Sequence, residues 1–466
     1  MVGVGTIVIL VTLLTRTWGI HVDEILYFGY AIAAPLGDAL IVGNQFLIYV
    51  FNYGLYHGVS WLLPTLAPLI LPLFYAETTV LVIWWLAVAI PSDTMTCRRA
   101  FALLLLSPFV LFNATQLMLE TALLPLLGAV LASALVLGQE AVSARRAAVI
   151  VVLAALCALT KATALPALAL LAVGLWPVLG GRVWPLLVGG AAGTVVNRVV
   201  LALLHAPSAS YGGVGQLIAS IRDLSMDRLL ETVGVWAFFA GLPALGAAWC
   251  WRERRDRLAL SLLAAAVLSA PVAVVVQLST DPTLPFPRYA YPVIWVGVAA
   301  SGLACARSQS RWLAPVVLVL QLPLSTALWP GVFPTMAIWP STIVREAFQN
   351  GGTILAGTPV HGWVAISSKA RERLCVFLPR ESPGTLQAEP WFAAVARQVT
   401  FFDADQVREF QQCTGAKAVF DRRFDVNPCE LDPCSPSRYR IRSCLPQHIA
   451  FYSPRLGDVQ TRVCLP

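Results

Sequence analysis

The sequence predicts a polytopic α-helical membrane protein of about eleven spans, followed by a small extracytoplasmic α/β domain, and three observations predict it. Hydrophobic residues make up 58% of the 466 and charged residues only 12%, with a mean hydropathy of +0.73; a soluble chain needs far more charge to cover its surface. The apolar content falls in blocks of roughly 17–25 residues, the length that crosses a bilayer core of about 30 Å as a helix. Short arginine clusters separate alternate blocks, as basic residues do where they set membrane orientation.

The spans follow in order. Met1 to Leu14 has no basic flank before it and no small-x-small cleavage site after it, so it reads as a retained first span rather than a cleaved signal. Ten more are expected near 66–90, 100–113, 118–138, 147–160, 162–178, 183–204, 231–250, 258–278, 290–306 and 312–330. Arg98 and Arg99, Arg145 and Arg146, Arg182, the run Arg252 to Arg257, and Arg307 with Arg311 occupy every second connection and belong on the cytoplasmic side. The loops near 19–61, 114–118, 205–230 and 279–289 then face outward, as does the chain after about residue 331. The net charge of +7 is thus explained by topology, and no nucleic-acid partner is implied.

The chain divides into a membrane part, 1–330, and a polar tail, 331–466. Cys375, Cys413, Cys429, Cys434, Cys444 and Cys464 all lie in the tail. An even set of six in an extracytoplasmic segment reads as three disulfides, with the pairing open; the rival is a zinc site, for which Cys429 and Cys434 lack a partner of standard spacing. Thr353 to Ala356 and Lys417 to Phe420 read as short buried strands, and Trp391 to Gln398 and Ala404 to Cys413 as helices.

The chemistry concentrates on the outer face. His21-Val22-Asp23-Glu24-Ile25-Leu26-Tyr27-Phe28-Gly29-Tyr30 follows the first span directly. Two carboxylates at a membrane surface are costly unless they face water or a cavity; the alternative is that they cap and solvate an interfacial helix. The rest of that loop, through Phe46, Tyr49, Phe51, Tyr53, Tyr56 and Trp61, is aromatic and nearly uncharged, and is expected to lie in the interface as amphipathic helices. Glu120 begins an apolar span on the same face, where an isolated glutamate also serves as an interfacial anchor.

Cations come from three places. Lys161 stands at an outer junction between two spans, Arg288-Tyr289 at the outer start of another, and Arg198 inside a span about two turns from its outer end. A half-buried cation needs an anionic partner, a protein carboxylate or a phosphate, and the arginine fork suits phosphate; the competing role is snorkelling to lipid headgroups. Carboxylates on one wall and cations on the other suit transfer of a glycosyl group from a phosphate leaving group: a carboxylate deprotonates the acceptor hydroxyl and the cations stabilise the departing phosphate.

These same residues carry a resemblance. Asp23-Glu24 with Tyr27-Phe28-Gly29 resembles the acidic motif of the GT-C membrane glycosyltransferases, and within them the protein O-mannosyltransferases and lipid A aminoarabinose transferases. Ala158-Leu159-Thr160-Lys161 resembles the LTK signature of that group, Arg288-Tyr289 its RY segment, and Glu120 its second acidic position. The resemblance covers about residues 1–330 and implies transfer of a hexosyl or pentosyl group from a polyprenyl-phosphate sugar, with inversion, to a glycan, lipid or protein acceptor. It implies Asp23 as the base, Glu24 and Glu120 as supporting acids, and Lys161 and Arg288 as phosphate contacts, with Tyr27, Tyr289 and Arg198 around the substrate. His21 stands where part of the family has arginine, and the cysteine-rich tail has no counterpart there. No cofactor ligand set is visible; a divalent metal is the one cofactor that some members of the superfamily use. A plasma (inner) membrane location is expected, since the tail has no retention signal or N-x-S/T acceptor. The alternative function is a transporter or lipid flippase for envelope glycan precursors, which would predict internal repeats; a non-catalytic assembly factor is the third reading.

Overall fold

The structure, a computed structural model, describes residues 1–15, 46–63, 67–114, 119–139, 143–203, 214–222, 256–280 and 289–327, positions 226, 241 and 244–247, and six short strands in the tail. Most helices coincide with expected apolar blocks, while Phe46–Leu62 and Val214–Arg222 lie in segments expected as outer loops: α1 Val2–Thr15, α2 Phe46–Leu62, α3 Ala67–Ala89, α4 Thr94–Leu105, α5 Pro108–Ala114, α6 Leu119–Gln139 and α7 Ala144–Thr160. They continue as α8 Ala164–Gly174, α9 Trp176–Leu179, α10 Trp184–Leu203, α11 Val214–Arg222, α12 Arg257–Thr280, α13 Tyr291–Arg307 and α14 Leu313–Ala327. Among the described residues three helical stretches, Leu119–Gly138, Trp176–Leu203 and Arg257–Thr280, are long and apolar enough to cross a membrane, or up to four if the bent pair α4 and α5 counts as one span. These apolar helices make the chain an integral membrane protein. Of the expected span at 231–250, only positions 241 and 244–247 are described.

Where one straight span is expected over 100–113, the structure has two helices bent by 59°. Ser107-Pro108 explains the break. Proline has no N–H to continue the ladder, and it disfavours helical backbone in the residue before it. Helix α4 starts at Asp93, whose side chain accepts from the Thr96 N–H at 2.7 Å, and α7 starts at Ser143, which accepts from the Arg146 N–H at 3.2 Å; both are ordinary N-caps.

Helix α7 is the centre of the packing, lying against α6 on one side and α10 on the other. Its approach to α10 is backbone to backbone. A Cβ on Gly189 would stand 2.3 Å from the Val151 carbonyl oxygen, and one on Gly193 would stand 2.3 Å from that of Ala155. Both contacts advance by four residues along both helices, so α7 and α10 run parallel. Small residues let membrane helices approach this closely, where apolar side chains gain nothing over lipid.

The basic connections meet at one end. Arg307 donates through Nη1 to the Pro91 carbonyl at 2.7 Å and through Nη2 to Asp256, joining three of the expected basic connections. From there α12 rises 24 residues, about 36 Å, to the opposite end. Partial burial pushes the Asp256 carboxyl up, but hydrogen bonds from Arg307 and the Leu258 N–H outweigh it and hold the carboxyl below its usual range. A depressed carboxyl stabilises the fold above its unfolded value, near pH 4, and loses that contribution as pH falls through the folded value. The Asp256 side chain is 42% exposed, so solvent screening keeps the effect under about 1 kcal/mol. Asp256→Asn should therefore melt slightly below wild type at pH 7, and the gap should close below about pH 4, measured by thermal unfolding in detergent.

The described part of the tail consists of β1 Ile354–Ala356, β2 Leu374–Val376, β3 Ala418–Arg422, β4 Arg440–Arg442, β5 Ala450–Tyr452 and β6 Thr461–Cys464. β1 pairs parallel with β2, and β3 with β6 and β4 with β5 antiparallel. The strands expected at 353–356 and 417–420 coincide with β1 and β3. The two helices expected at 391–398 and 404–413, with Cys413, Cys429, Cys434 and Cys444, lie outside the described residues. Cys375 is on β2 and Cys464 on β6. In the membrane part Cys97, Cys157 and Cys305 form no disulfide.

Candidate functional site

At the end opposite Arg307, three connections converge. The Lys161 Nζ donates to Glu120 Oε1 in an ion pair between residues 41 apart in the chain, with side chains 7% and 0% exposed. Lys161 is placed there by the α7–α8 junction: its backbone is extended at φ −157°, its N–H closes α7 on the Cys157 carbonyl at 3.0 Å, and its carbonyl accepts from the Ala164 N–H at 3.0 Å to open α8. The same ammonium lies 5.3 Å from the centre of the Tyr289 ring, a cation–π contact that strengthens when water is excluded.

Tyr289 is itself held. Its N–H donates to Gln277 Oε1 at 3.2 Å. Beneath it the Tyr291 ring packs edge-on against Phe109 and Phe112 at 5.7 and 6.3 Å, and Trp295 stacks with Phe109 at 6.3 Å. That aromatic layer ties the start of α13 to α5. Glu120 is framed by the same segment: Thr121 donates to the Asn113 carbonyl at 2.8 Å, and the Asn113 amide donates to the Phe109 carbonyl at 2.9 Å. Glu120 Oε2 and Asn113 Oδ1 are buried and have no hydrogen-bond partner among the described residues. Each lone acceptor in an apolar surround carries a desolvation penalty of about 1–3 kcal/mol, which a ligand donor would relieve.

Beside the pair lies a cavity of about 270 Å³ between α2, α3, α6 and α7. Phe51, Phe74, Val82, Ala122, Ala129 and Leu156 are among its walls. Its hydroxyl-bearing residues turn their polar atoms elsewhere: Thr160 donates to the Leu156 carbonyl at 2.8 Å, Tyr75 to Asn52 Oδ1 at 2.6 Å, and Thr78 to the Phe74 carbonyl. The cavity is apolar for that reason.

The structure thus brings together Glu120, Lys161 and Tyr289 of the expected site. Arg198 is not among them; it is exposed on α10 while its neighbour Asn197 is buried. Asp23, Glu24, Tyr27 and Arg288 lie outside the described residues, though Arg288 is bonded directly to Tyr289. Helix α2, expected to lie in the interface, packs on α3, α7 and α10 with Tyr49 and Asn52 buried, roofing the cavity. Two polar groups went unread in the sequence. Gln277 positions Tyr289, and Glu77 accepts from Thr6 Oγ1 at 2.6 Å, tying α1 to α3. A polar residue inside an apolar block is the signal that could have found both. Among the described residues no three acidic, histidine or cysteine side chains cluster as metal ligands.

No family model matches the chain, and no curated protein matches it. Among solved structures it is similar to the mycobacterial arabinofuranosyltransferase AftD, solved by single-particle cryo-electron microscopy, with 21% identity and a TM-score of 0.42 over 76% of this chain and 30% of that chain. The chain thus spans less than a third of the length of that protein.

Proposed function

We propose that this protein is a membrane glycosyltransferase that moves a sugar from a polyprenyl-phosphate carrier to an acceptor on the outer face of the membrane. The observation that supports it most is the buried Lys161–Glu120 pair under Tyr289, at the end of the bundle opposite the basic connections. An ammonium has three N–H donors, so Lys161 can hold Glu120 and still give a hydrogen bond to a phosphate arriving beside Tyr289, where Arg288 supplies a second cation. Asp23 takes the proton of the acceptor hydroxyl as its oxygen bonds to the anomeric carbon. The bond from that carbon to the phosphate oxygen breaks with the electron pair leaving on the phosphate, and a single displacement inverts the centre. Glu24 and Glu120 support the acceptor side, and Tyr27 contacts substrate.

In this reading eleven spans cross a plasma membrane with the arginine clusters in the cytoplasm, and 331–466 forms an extracytoplasmic domain closed by three disulfides. Removing a general base lowers a rate by about 10²–10⁴-fold. Asp23→Asn should therefore abolish transfer from radiolabelled polyprenyl-phosphate sugars to crude envelope acceptor while the protein stays folded. Transfer at the wild-type rate in that variant would move the base elsewhere, with Glu24 next.

A further inference from the structure

We propose that the acceptor is itself a lipid: an amphiphile with a hydroxyl-bearing head, whose hydrocarbon chain occupies the cavity between α2, α3, α6 and α7. The inference rests on the transferase reading and names its second substrate. The cavity wall is apolar, because each hydroxyl on it is turned to a neighbouring carbonyl or amide oxygen, and a half-open apolar recess in a membrane helix bundle suits an apolar guest. It also extends along the helix. From Ala122 to Ala129, both of which line it, α6 rises seven residues, about 10 Å.

The polar end of the cavity meets the ion pair. Thr160 on its wall precedes Lys161, and Ala122 follows Glu120 by two residues. A chain seated there sets its head beside Glu120 Oε2 and Asn113 Oδ1, both buried and both without a hydrogen-bond partner among the described residues. A buried carboxylate oxygen lacks a donor. A hydroxyl supplies one, whereas a phosphate brings more negative charge and repels it.

The flank assigns the chain to the acceptor rather than the donor. Among the described residues, the cavity lining comes from α2, α3, α6 and α7. Tyr289, next in the chain to Arg288 where the donor phosphate is expected, leads into α13, and its N–H is held from α12 through Gln277. The chain then reaches the Lys161–Glu120 pair from α2, α3, α6 and α7, while Tyr289 meets it from the start of α13.

The test uses the full chain in lipid nanodiscs and two photoactivatable probes of equal chain length with a mid-chain diazirine, an alkyl glucoside and an alkyl phosphate. The glucoside should label the 74–82 and 122–129 segments. Ala129→Phe, which fills the cavity, should lower that labelling about tenfold, corresponding to roughly 1.4 kcal/mol of lost binding, while labelling of the outward face of α10 stays unchanged. Ala122→Leu, at the polar end, should give the same loss and serves if the first variant does not fold. Labelling by the alkyl phosphate equal to or above that by the glucoside would overturn the proposal in favour of the donor's chain. Labelling no stronger than on the outward face of α10 would overturn it altogether. Neither result touches the transferase reading, which fails separately, if wild type transfers sugar from no donor to either lipid or water-soluble acceptors.

Discussion

Lys161→Met should be among the most destabilising single changes in the chain, while the double replacement Lys161→Met with Glu120→Leu should be far milder. The pair is buried, with Glu120 side chain 0% exposed. Removing the lysine leaves a carboxylate that must stay charged without a partner or take up a proton in an apolar place. Breaking a buried pair from one side costs about 3–5 kcal/mol, while replacing both partners by apolar groups of similar volume is often close to neutral. Denaturant unfolding in detergent, followed by tryptophan fluorescence, reads both variants on one scale. Both should lose transfer, because both lose the ammonium. If the single variant unfolds like wild type, Glu120 is already neutral in the native protein and Lys161 is not its charge partner.

The second large effect is expected from Gly193→Val. The added Cβ meets the Ala155 carbonyl oxygen at 2.3 Å, with the Ala155 Cα 2.9 Å away. These are backbone atoms of α7, so no rotamer change relieves the clash and the two helices must part. Overpacking a well-filled interior costs about 1–3 kcal/mol, occasionally more, and a clash with backbone belongs at the upper end. Helix α7 ends at Thr160 and hands directly to Lys161, so displacing it also moves the ammonium off Glu120 and Tyr289. The expected result is a fall in monodisperse protein on size exclusion and loss of transfer in what remains. Gly181→Ala is the matched control, since a Cβ there meets nothing within 4 Å. Wild-type behaviour of Gly193→Val would mean that the two helices do not pack through this face.

Both predictions rest on contacts that the sequence announces only in part. Glu120, Lys161 and Tyr289 were legible as residues of one end of the bundle, because arginine-marked connections alternate with them along the chain. Their meeting was not, because Glu120 and Lys161 are 41 residues apart and depend on how α6, α7 and α13 pack. Arg198 illustrates the converse. A cation inside an apolar block reads like Lys161 in one dimension, yet α10 turns it outward and Asn197 inward. The bend between α4 and α5 could be read from Ser107-Pro108, but its 59° depends on what the two halves pack against. Gln277 is the plainest case of a hidden role: one amide in a helix of apolar residues, its purpose set by a backbone N–H twelve residues on.

The sequence by itself determined the class of the protein, the position of its apolar helices and the sorting of its connections into two kinds, because hydropathy and charge act on each segment locally against the bilayer. Only the tertiary structure decided which of these residues touch, which buried acceptors lack a partner among the described residues, and that an apolar cavity adjoins the ion pair. Those depend on the rotation and depth of each helix, which are set by close packing at places such as Gly189 and Gly193 rather than by any segment's own composition.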